Sequence, residues 1–141
     1  MPELTNKQYK TVLIIDDDED DCALIAETLR EIDNKMNCIQ MTDSKEALTY
    51  IIETENRPDT IFLDLHMPKM NGLELLKILK ADPGLSHIPV IVCTDSKLVK
   101  EMEECKILGA AHIIMKPASF FLMKYEIRKA LKAVAETLVS E

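Results

Sequence analysis

The sequence has no long apolar run and no excess of basic residues. No stretch approaches the roughly 18 apolar residues of a membrane-spanning helix, and "MPELTNKQYK" at the start lacks the apolar core of a signal peptide. Seventeen Lys and Arg residues against 25 Asp and Glu residues give a net charge of −8, which argues against a nucleic-acid groove as the main function. We therefore expect a cytoplasmic protein that binds neither nucleic acid nor membrane.

Paired cysteines are also lacking. The four cysteines show no spacing typical of a metal site, so we expect reduced and mostly buried thiols at Cys22, Cys38, Cys93 and Cys105. A chain of 141 residues, 47% of them apolar, is large enough to bury one core. No linker or low-complexity segment divides it. We expect an N-terminal extension over residues 1–10 and one domain over residues 11–141.

Apolar runs alternate with amphipathic segments along the chain. The runs that predict strands are residues 11–15, 38–42, 60–65, 88–94 and 112–115. The segments that predict helices are residues 21–32, 44–54, 72–81, 97–109 and 119–138. Asp43 or Ser44 should cap the second helix, and Gly109 should end the fourth. Such strict alternation predicts an α/β fold, with a parallel sheet covered by helices on both faces.

Polar side chains stand at the carboxyl ends of four predicted strands. Asp16, Asp17 and Asp18 follow the first strand, and Asp64 ends the third. Ligands bind at this edge of open parallel sheets, near a topological switch point. The fourth and fifth predicted strands end in a hydroxyl and an ammonium group, those of Thr94 and Lys116. We expect the carboxylates, the hydroxyl and the ammonium group to converge on one site.

The chemistry of this set suits phosphoryl transfer to a carboxylate. Two neighbouring acids can hold Mg²⁺, which prefers oxygen ligands, and a lone Asp can act as the nucleophile. A Lys and a short hydroxyl can neutralise the transferred group. Part of the acidic run Asp16–Asp21 then makes sense, because a dication offsets its repulsion. Asp20 and Asp21 should only begin the next helix.

Four segments resemble the receiver domain of two-component response regulators. They are "VLIIDDDEDD", "IFLDLHMPKMNGLELL", "VIVCT" and "HIIMKP". The resemblance covers about residues 11–138, and its most specific part is Asp64 followed by "HMPKMNG". It implies a doubly wound, flavodoxin-like sheet of five parallel strands in the order 2-1-3-4-5. The chain resembles single-domain receivers of the chemotaxis type.

The resemblance implies that Asp64 accepts a phosphoryl group, which Thr94 and Lys116 then contact. The donor would be a histidine kinase or a histidine phosphotransfer protein. A downstream protein would bind the face formed by helix four, strand five and helix five. The protein would not be an enzyme beyond catalysing its own phosphorylation and dephosphorylation. The Lys116–Pro117 peptide should be cis, so that the ammonium group turns inward.

The same resemblance implies a Mg²⁺ site. Its ligands would be Asp16, Asp17, Asp64 and the backbone carbonyl of His66. Asp16 would act directly or through water.

The sequence departs from the receiver pattern in three places. Ile113 stands where an aromatic residue is common, three positions before Lys116, so an aromatic switch coupled to Thr94 is not expected. Asp95 stands where a small residue is usual and would crowd the phosphoryl group or turn to solvent. His66 would modulate the phosphate lifetime or lie as a plain surface histidine. In the last helix, Phe120, Phe121 and Met123 are expected to complete the core.

Three other functions remain open from the sequence. A haloacid-dehalogenase-like phosphatase would use Asp16 as the nucleophile, with Asp16 and Asp18 as its D-x-D pair, but would leave the loop after Asp64 unexplained. A flavodoxin-like cofactor binder would need a Ser/Thr/Gly-rich phosphate loop where the six acids stand. A degenerate receiver would only bind partners, although all key residues are present here.

Overall fold

The computed structural model describes residues 11–140, and the side chains of residues 11–135. The expected extension over residues 1–10 lies outside the described residues. The strands are β1 (Thr11–Ile15), β2 (Asn37–Met41), β3 (Thr60–Leu63), β4 (Val90–Thr94) and β5 (His112–Met115). The helices are α1 (Glu19–Ile32), α2 (Ser44–Glu53), α3 (Gly72–Ala81), α4 (Val99–Leu108) and α5 (Phe120–Ser140).

The five strands form one parallel sheet in the order β2-β1-β3-β4-β5. This confirms the predicted α/β class and strand order. Successive residues of a strand point to opposite faces, so β1 sends Val12 and Ile14 to one face and Leu13 and Ile15 to the other. Helices α1 and α5 cover the first face, and α2, α3 and α4 cover the second. Buried strands on both faces explain the continuous apolar runs.

Local capping chemistry sets where the helices begin. Asp18 caps α1 by accepting hydrogen bonds from the backbone N–H groups of Asp20 and Asp21, so α1 begins at Glu19 and not at residue 21. Asp43 caps α2 in the same way. In α3, Asn71 and Glu74 form a capping box. These bonds satisfy backbone donors that have no partner inside the helix.

Two strands are shorter than predicted. β3 ends at Leu63 and not at residue 65, because the chain turns after Asp64 toward α3. β4 begins at Val90 and not at residue 88, since Pro89 has no N–H to donate to a neighbouring strand. Helix α4 spans Val99–Leu108 within the predicted residues 97–109, and Gly109 ends it with a φ of 101°, as predicted.

Two predictions about side chains in the last helix are wrong. Phe120 and Phe121 are 72% and 81% exposed, and only Met123 of the three joins the core. The buried face of α5 runs through Met123, Ile127 and Ala130, so Phe121 points away from it. Phe120 is the first residue of the helix.

The predicted cis peptide before Pro117 is also wrong. No described peptide bond is cis, so the Lys116–Pro117 bond is trans. The backbone N–H of Lys116 donates to the carbonyl of Thr94 at 2.7 Å, which continues the pairing of β5 with β4. The long stem of Lys116 alone carries the ammonium group back over the sheet edge.

The cysteines match their prediction. All four thiols are free, with Cys22, Cys93 and Cys105 buried and Cys38 half-buried. Among the helices that the structure describes, none combines the length and the apolar character that crossing a bilayer would require.

Candidate functional site

A polar cavity lies at the carboxyl edge of the sheet. It is lined by Asp16, Asp17, Asp18, Glu19, Asp20, Asp21, Asp64, His66, Asp95 and Lys116. Five of the six predicted site residues are therefore brought together. The sixth, Thr94, is fully buried and does not line the cavity.

Three carboxylates define the floor of this cavity. One oxygen from each of Asp16, Asp17 and Asp64 can be chosen so that all lie within 4.8 Å of one another. Asp16 is 2% exposed and Asp64 is 5% exposed, whereas Asp17 faces solvent. Clustered carboxylate oxygens of this kind are the ligands that hard divalent cations prefer. The donor set therefore fits a divalent metal ion.

Backbone packing fixes the position of Asp64. The N–H of Asp64 donates to the carbonyl of Ile15 at 2.9 Å, which ties β3 to β1 at this point. Gly72 begins α3 directly against the same residue. A Cβ atom at Gly72 would lie 2.2 Å from the carbonyl oxygen of Asp64. The glycine is therefore required for α3 to approach the site, and its N–H donates to the carbonyl of Leu65 at 2.7 Å.

The ammonium group of Lys116 lies among the carboxylates. Its Nζ is 2.7 Å from Oδ2 of Asp16, 2.9 Å from Oδ2 of Asp21 and 3.8 Å from Oδ1 of Asp64. Burial alone would lower the pKa of Lys116. The hydrogen bonds to Asp16 and Asp21 outweigh that effect and hold the pKa above its ordinary value. Lys116 is therefore a positive charge at neutral pH.

Burial acts on the carboxylates in the opposite sense. It raises the pKa of Asp64 to about 7, with a further increase from the charge of Asp16 and a decrease from Lys116. Burial also raises the pKa of Asp16, against the lowering effect of its hydrogen bond to Lys116. A single ammonium group thus leaves the negative charge of the site incompletely balanced, which a dication would correct.

A second polar network joins the site to α4. The hydroxyl oxygen of Thr94 accepts a hydrogen bond from the N–H of Ser96 at 3.0 Å. The hydroxyl of Ser96 donates to Glu101 in the first turn of α4. The ring Nε2 of His66 lies 3.1 Å from the same carboxylate. Residues on both sides of the cavity therefore meet at Glu101.

The three departures from the receiver pattern each have a clear location. Ile113 is half-buried and packs against the core face that α2, α3 and α4 cover. Asp95 lines the cavity with an exposed side chain, so it has access to solvent. His66 is half-exposed at the cavity rim, and its Nε2 lies 3.1 Å from Oε1 of Glu101.

Sequence reasoning missed three participants. Asp21 was expected only to begin α1, yet its carboxylate contacts Lys116. Ser96 and Glu101 were not singled out, and neither has a spacing signal in the sequence. An acidic residue in the first turn of a helix is a common feature. Glu101 in α4 therefore gives no signal in the sequence that it contacts Ser96 and His66.

The comparisons with known proteins decide the family. The family model for the response regulator receiver domain matches residues 12–131. The chain belongs to this family. Receiver domains are not enzymes in the usual sense, and they bind a divalent metal in their acidic pocket. They interact with histidine kinases or phosphotransfer proteins and with downstream targets. The haloacid-dehalogenase-like phosphatase and the degenerate receiver that only binds partners are not favoured.

Four similar proteins illustrate the range of relatives. The polar-differentiation response regulator DivK of Brucella anthropi is 34% identical over 110 residues, covering 78% of this chain and 86% of that protein. The phosphorylated cyanobacterial phytochrome response regulator RcpA has a TM-score of 0.81 at 28% identity, over 86% of this chain and 90% of that one. The Mn²⁺-bound form of the response regulator Rcp1 has a TM-score of 0.79 at 26% identity, over 85% and 90%. The chain spans only 44% of a fungal relative, the stress response regulator protein 1 of Candida tropicalis.

Proposed function

We propose that this receiver domain accepts a phosphoryl group on Asp64 from the phosphohistidine of a histidine kinase or phosphotransfer protein. One observation carries the proposal: Asp64 is a buried carboxylate beside two further carboxylates, and the ammonium group of Lys116 is 3.8 Å away and hydrogen-bonded to Asp16 instead. An oxygen of Asp64 would attack phosphorus, and the bond from phosphorus to the donor histidine would break. The domain itself would catalyse this transfer and the later hydrolysis.

We propose Mg²⁺ as the metal that the site uses. The ligands would be Asp16, Asp17, Asp64 and the backbone carbonyl of His66, all at the floor or rim of the cavity. When bound, Mg²⁺ would offset the carboxylate repulsion and the charge of the incoming phosphoryl group. The Mn²⁺-bound form of Rcp1 is a similar structure with a divalent ion.

Lys116 and Thr94 would contact the phosphoryl oxygens in this proposal. Lys116 is already charged and 3.8 Å from Asp64, a gap that an attached phosphoryl oxygen can bridge. Because Thr94 is fully buried and does not line the cavity, its side chain would have to turn toward Asp64 to donate to a phosphoryl oxygen, and that turn would disturb the bond that it accepts from the N–H of Ser96. Because Ser96 is tied to Glu101, movement of Thr94 would change the start of α4. The loop after β4 and the first turn of α4 would therefore transmit phosphorylation.

We propose that the output is binding to another protein through the face formed by α4, β5 and α5. Five exposed apolar side chains support this assignment: those of Leu98, Val99, Met115, Phe120 and Phe121. We also propose that residues 11–141 form the receiver domain. A cytoplasmic location belongs to the same proposal, because the four unpaired thiols would stay reduced there.

Intact mass measurement tests this function. Wild type incubated with acetyl phosphate and Mg²⁺ should gain the mass of one phosphoryl group, and Asp64→Asn should gain none. Asp17→Ala should lose the Mg²⁺-dependent labelling. Labelling that persists in Asp64→Asn but disappears in Asp16→Asn would contradict the proposal and move the protein toward a phosphatase that uses Asp16. Absence of labelling in wild type would favour a receiver that only binds partners.

A further inference from the structure

Lys116 is held by two carboxylates on the α1 side of the cavity. Asp16 follows β1 and is almost fully buried, so its position is fixed by the sheet. Asp21 is in the first turn of α1, with a side chain 33% exposed. Their Oδ2 atoms are 2.7 Å and 2.9 Å from Nζ, whereas the nearest oxygen of Asp64 is 3.8 Å away. The ammonium group is therefore drawn toward α1 and away from the acceptor.

The contact is specific to one acid of the run. Asp18 uses its carboxylate to cap α1, by accepting from the N–H groups of Asp20 and Asp21. Asp20 is exposed and lies one residue before Asp21. Of the described acids in α1, only Asp21 has a carboxylate paired with Lys116. Its role therefore goes beyond the general preference for acids at the start of a helix.

We propose that Asp21 is a positioning residue that holds Lys116 toward α1 and competes with the phosphoryl group for it. The inference rests on the function proposed above. An ammonium group has three N–H donors and one charge. Two donors are used by Asp16 and Asp21, and both carboxylates reduce the positive charge that the phosphoryl group meets. Asp16 is part of the floor beneath the acceptor, whereas Asp21 lies outside the predicted metal ligands. By binding Lys116, the carboxylate of Asp21 therefore weakens the contact between Lys116 and the phosphoryl group.

The matched test compares Asp21→Asn with Asp20→Asn. Both changes remove one negative charge from the first turn of α1, so helix-dipole and net-charge effects are shared. The probe is beryllofluoride, a phosphoryl mimic, titrated with Mg²⁺ and followed by backbone amide shifts. Asp21→Asn should bind beryllofluoride about fivefold more tightly than Asp20→Asn, the scale of a partly exposed ion pair. Equal or weaker binding by Asp21→Asn would overturn the inference.

Two further variants separate the possible failures. Asp21→Glu keeps a carboxylate within reach of Lys116 and should return the affinity to within about twofold of wild type. If Asp21→Glu instead binds as tightly as Asp21→Asn, the effect does not come from the carboxylate and the inference fails. Asp64→Asn should bind no beryllofluoride. If Asp64→Asn binds like wild type, the proposed function fails, whatever the Asp21 variants do.

Discussion

Helices α3 and α4 follow β3, the strand before the acceptor, and β4, its neighbour in the sheet, and they are held in different ways. Each spans ten residues. Helix α3 begins in a capping box and buries Gly72, Leu75, Leu76 and Leu79. Helix α4 begins at Val99, its N-cap residue Leu98 makes no side-chain cap bond, and Cys105 is the only buried residue within its described length. Packing fixes the first helix, whereas the second depends on a few polar bonds.

The difference shows how one pocket can be both precise and movable. The α3 side carries Asp64 and keeps it in place through Gly72. The α4 side carries the Thr94–Ser96–Glu101 bonds, of which Thr94–Ser96 is buried and Ser96–Glu101 is partly exposed. These few polar bonds can change partners, and the partly exposed one can also be replaced by water. A ligand that contacts Thr94 can therefore bias α4 without disturbing the acceptor. Such a bias is a shift between two populations of the same fold.

The largest expected effect concerns the ionisation of the buried Asp64 carboxyl, on the α3 side of the pocket. A pKa of about 7 for Asp64, against an ordinary 3.8, means that the folded protein holds this proton more tightly than the unfolded chain does. Without metal, the resulting stability is fully present below about pH 4 and is lost as the pH rises to about 7, by as much as ~4 kcal/mol. Asp64→Asn should lack that loss.

Chemical denaturation in EDTA at pH 4.5 and pH 7.5 measures this difference. Between pH 4.5 and pH 7.5, the free energy of unfolding of wild type should fall relative to that of Asp64→Asn. Added Mg²⁺ should reduce this fall. If the free energies of unfolding of the two proteins differ by the same amount at both pH values, the pKa of Asp64 is not raised in the folded protein.

The next effect tests the packing of α3 against the acceptor. Gly72→Ala should destabilise the protein by about 3 kcal/mol, because the new Cβ meets backbone atoms that have no room to move. Gly84→Ala is the matched control, since its Cβ would meet only flexible side chains of Asp82 and Arg57. The control should change stability by less than about 0.5 kcal/mol. Equal losses in urea denaturation would show that α3 is not fixed at Gly72.

A smaller effect tests the contrast in capping. Asn71→Ala should cost about 1 kcal/mol by removing the cap of α3. Leu98→Ser should stabilise the protein by roughly 0.5–1 kcal/mol, because it places a capping hydroxyl before α4, at a residue that is 61% exposed. Thermal unfolding measures both changes. A loss of stability in Leu98→Ser would mean that the uncapped start of α4 is stabilised by contacts of the leucine.

The smallest effect on stability should come from the polar bridge itself. Glu101→Ala removes the bonds to Ser96 and His66 at a partly exposed position, so it should cost only about 0.5 kcal/mol. Amide hydrogen exchange over residues 95–101 should nevertheless become faster. Glu104→Ala is the control on the same helix, with an exposed carboxylate. Identical exchange rates in the two variants would contradict the proposal that the bonds of Glu101 stabilise the start of α4.

The sequence alone predicted the sheet well because its physical signal is strong. Continuous apolar strands between amphipathic helices leave few arrangements other than a parallel sheet covered on both faces. The carboxyl ends of those strands then place Asp16, Asp64 and Lys116 at one edge. Gly72, the first residue of α3, explains the close approach of that helix to Asp64, and Pro89 explains why β4 begins at Val90. The strand order came from the resemblance to receiver domains and not from the pattern.

What escaped prediction depends on side-chain reach and helix rotation. Lys116 and Asp21 are 95 residues apart, and their contact requires the long lysine stem to cross the cavity toward α1. The exposure of Phe121 depends on the rotational phase of α5, which the apolar pattern of its first turn leaves ambiguous. Thr94 was correctly located at the end of β4, but its hydroxyl is bound to Ser96, away from the cavity.

Backbone amide shifts with and without beryllofluoride and Mg²⁺ test the central contrast most directly. The account predicts shifts near Asp64, large shifts over residues 95–108 and small shifts over residues 75–81 of α3. Shift changes confined to the Asp64 pocket, with none over residues 95–125, would contradict the claim that α4 moves when the pocket is occupied. Shifts of equal size in α3 and α4 would contradict the contrast between the two helices.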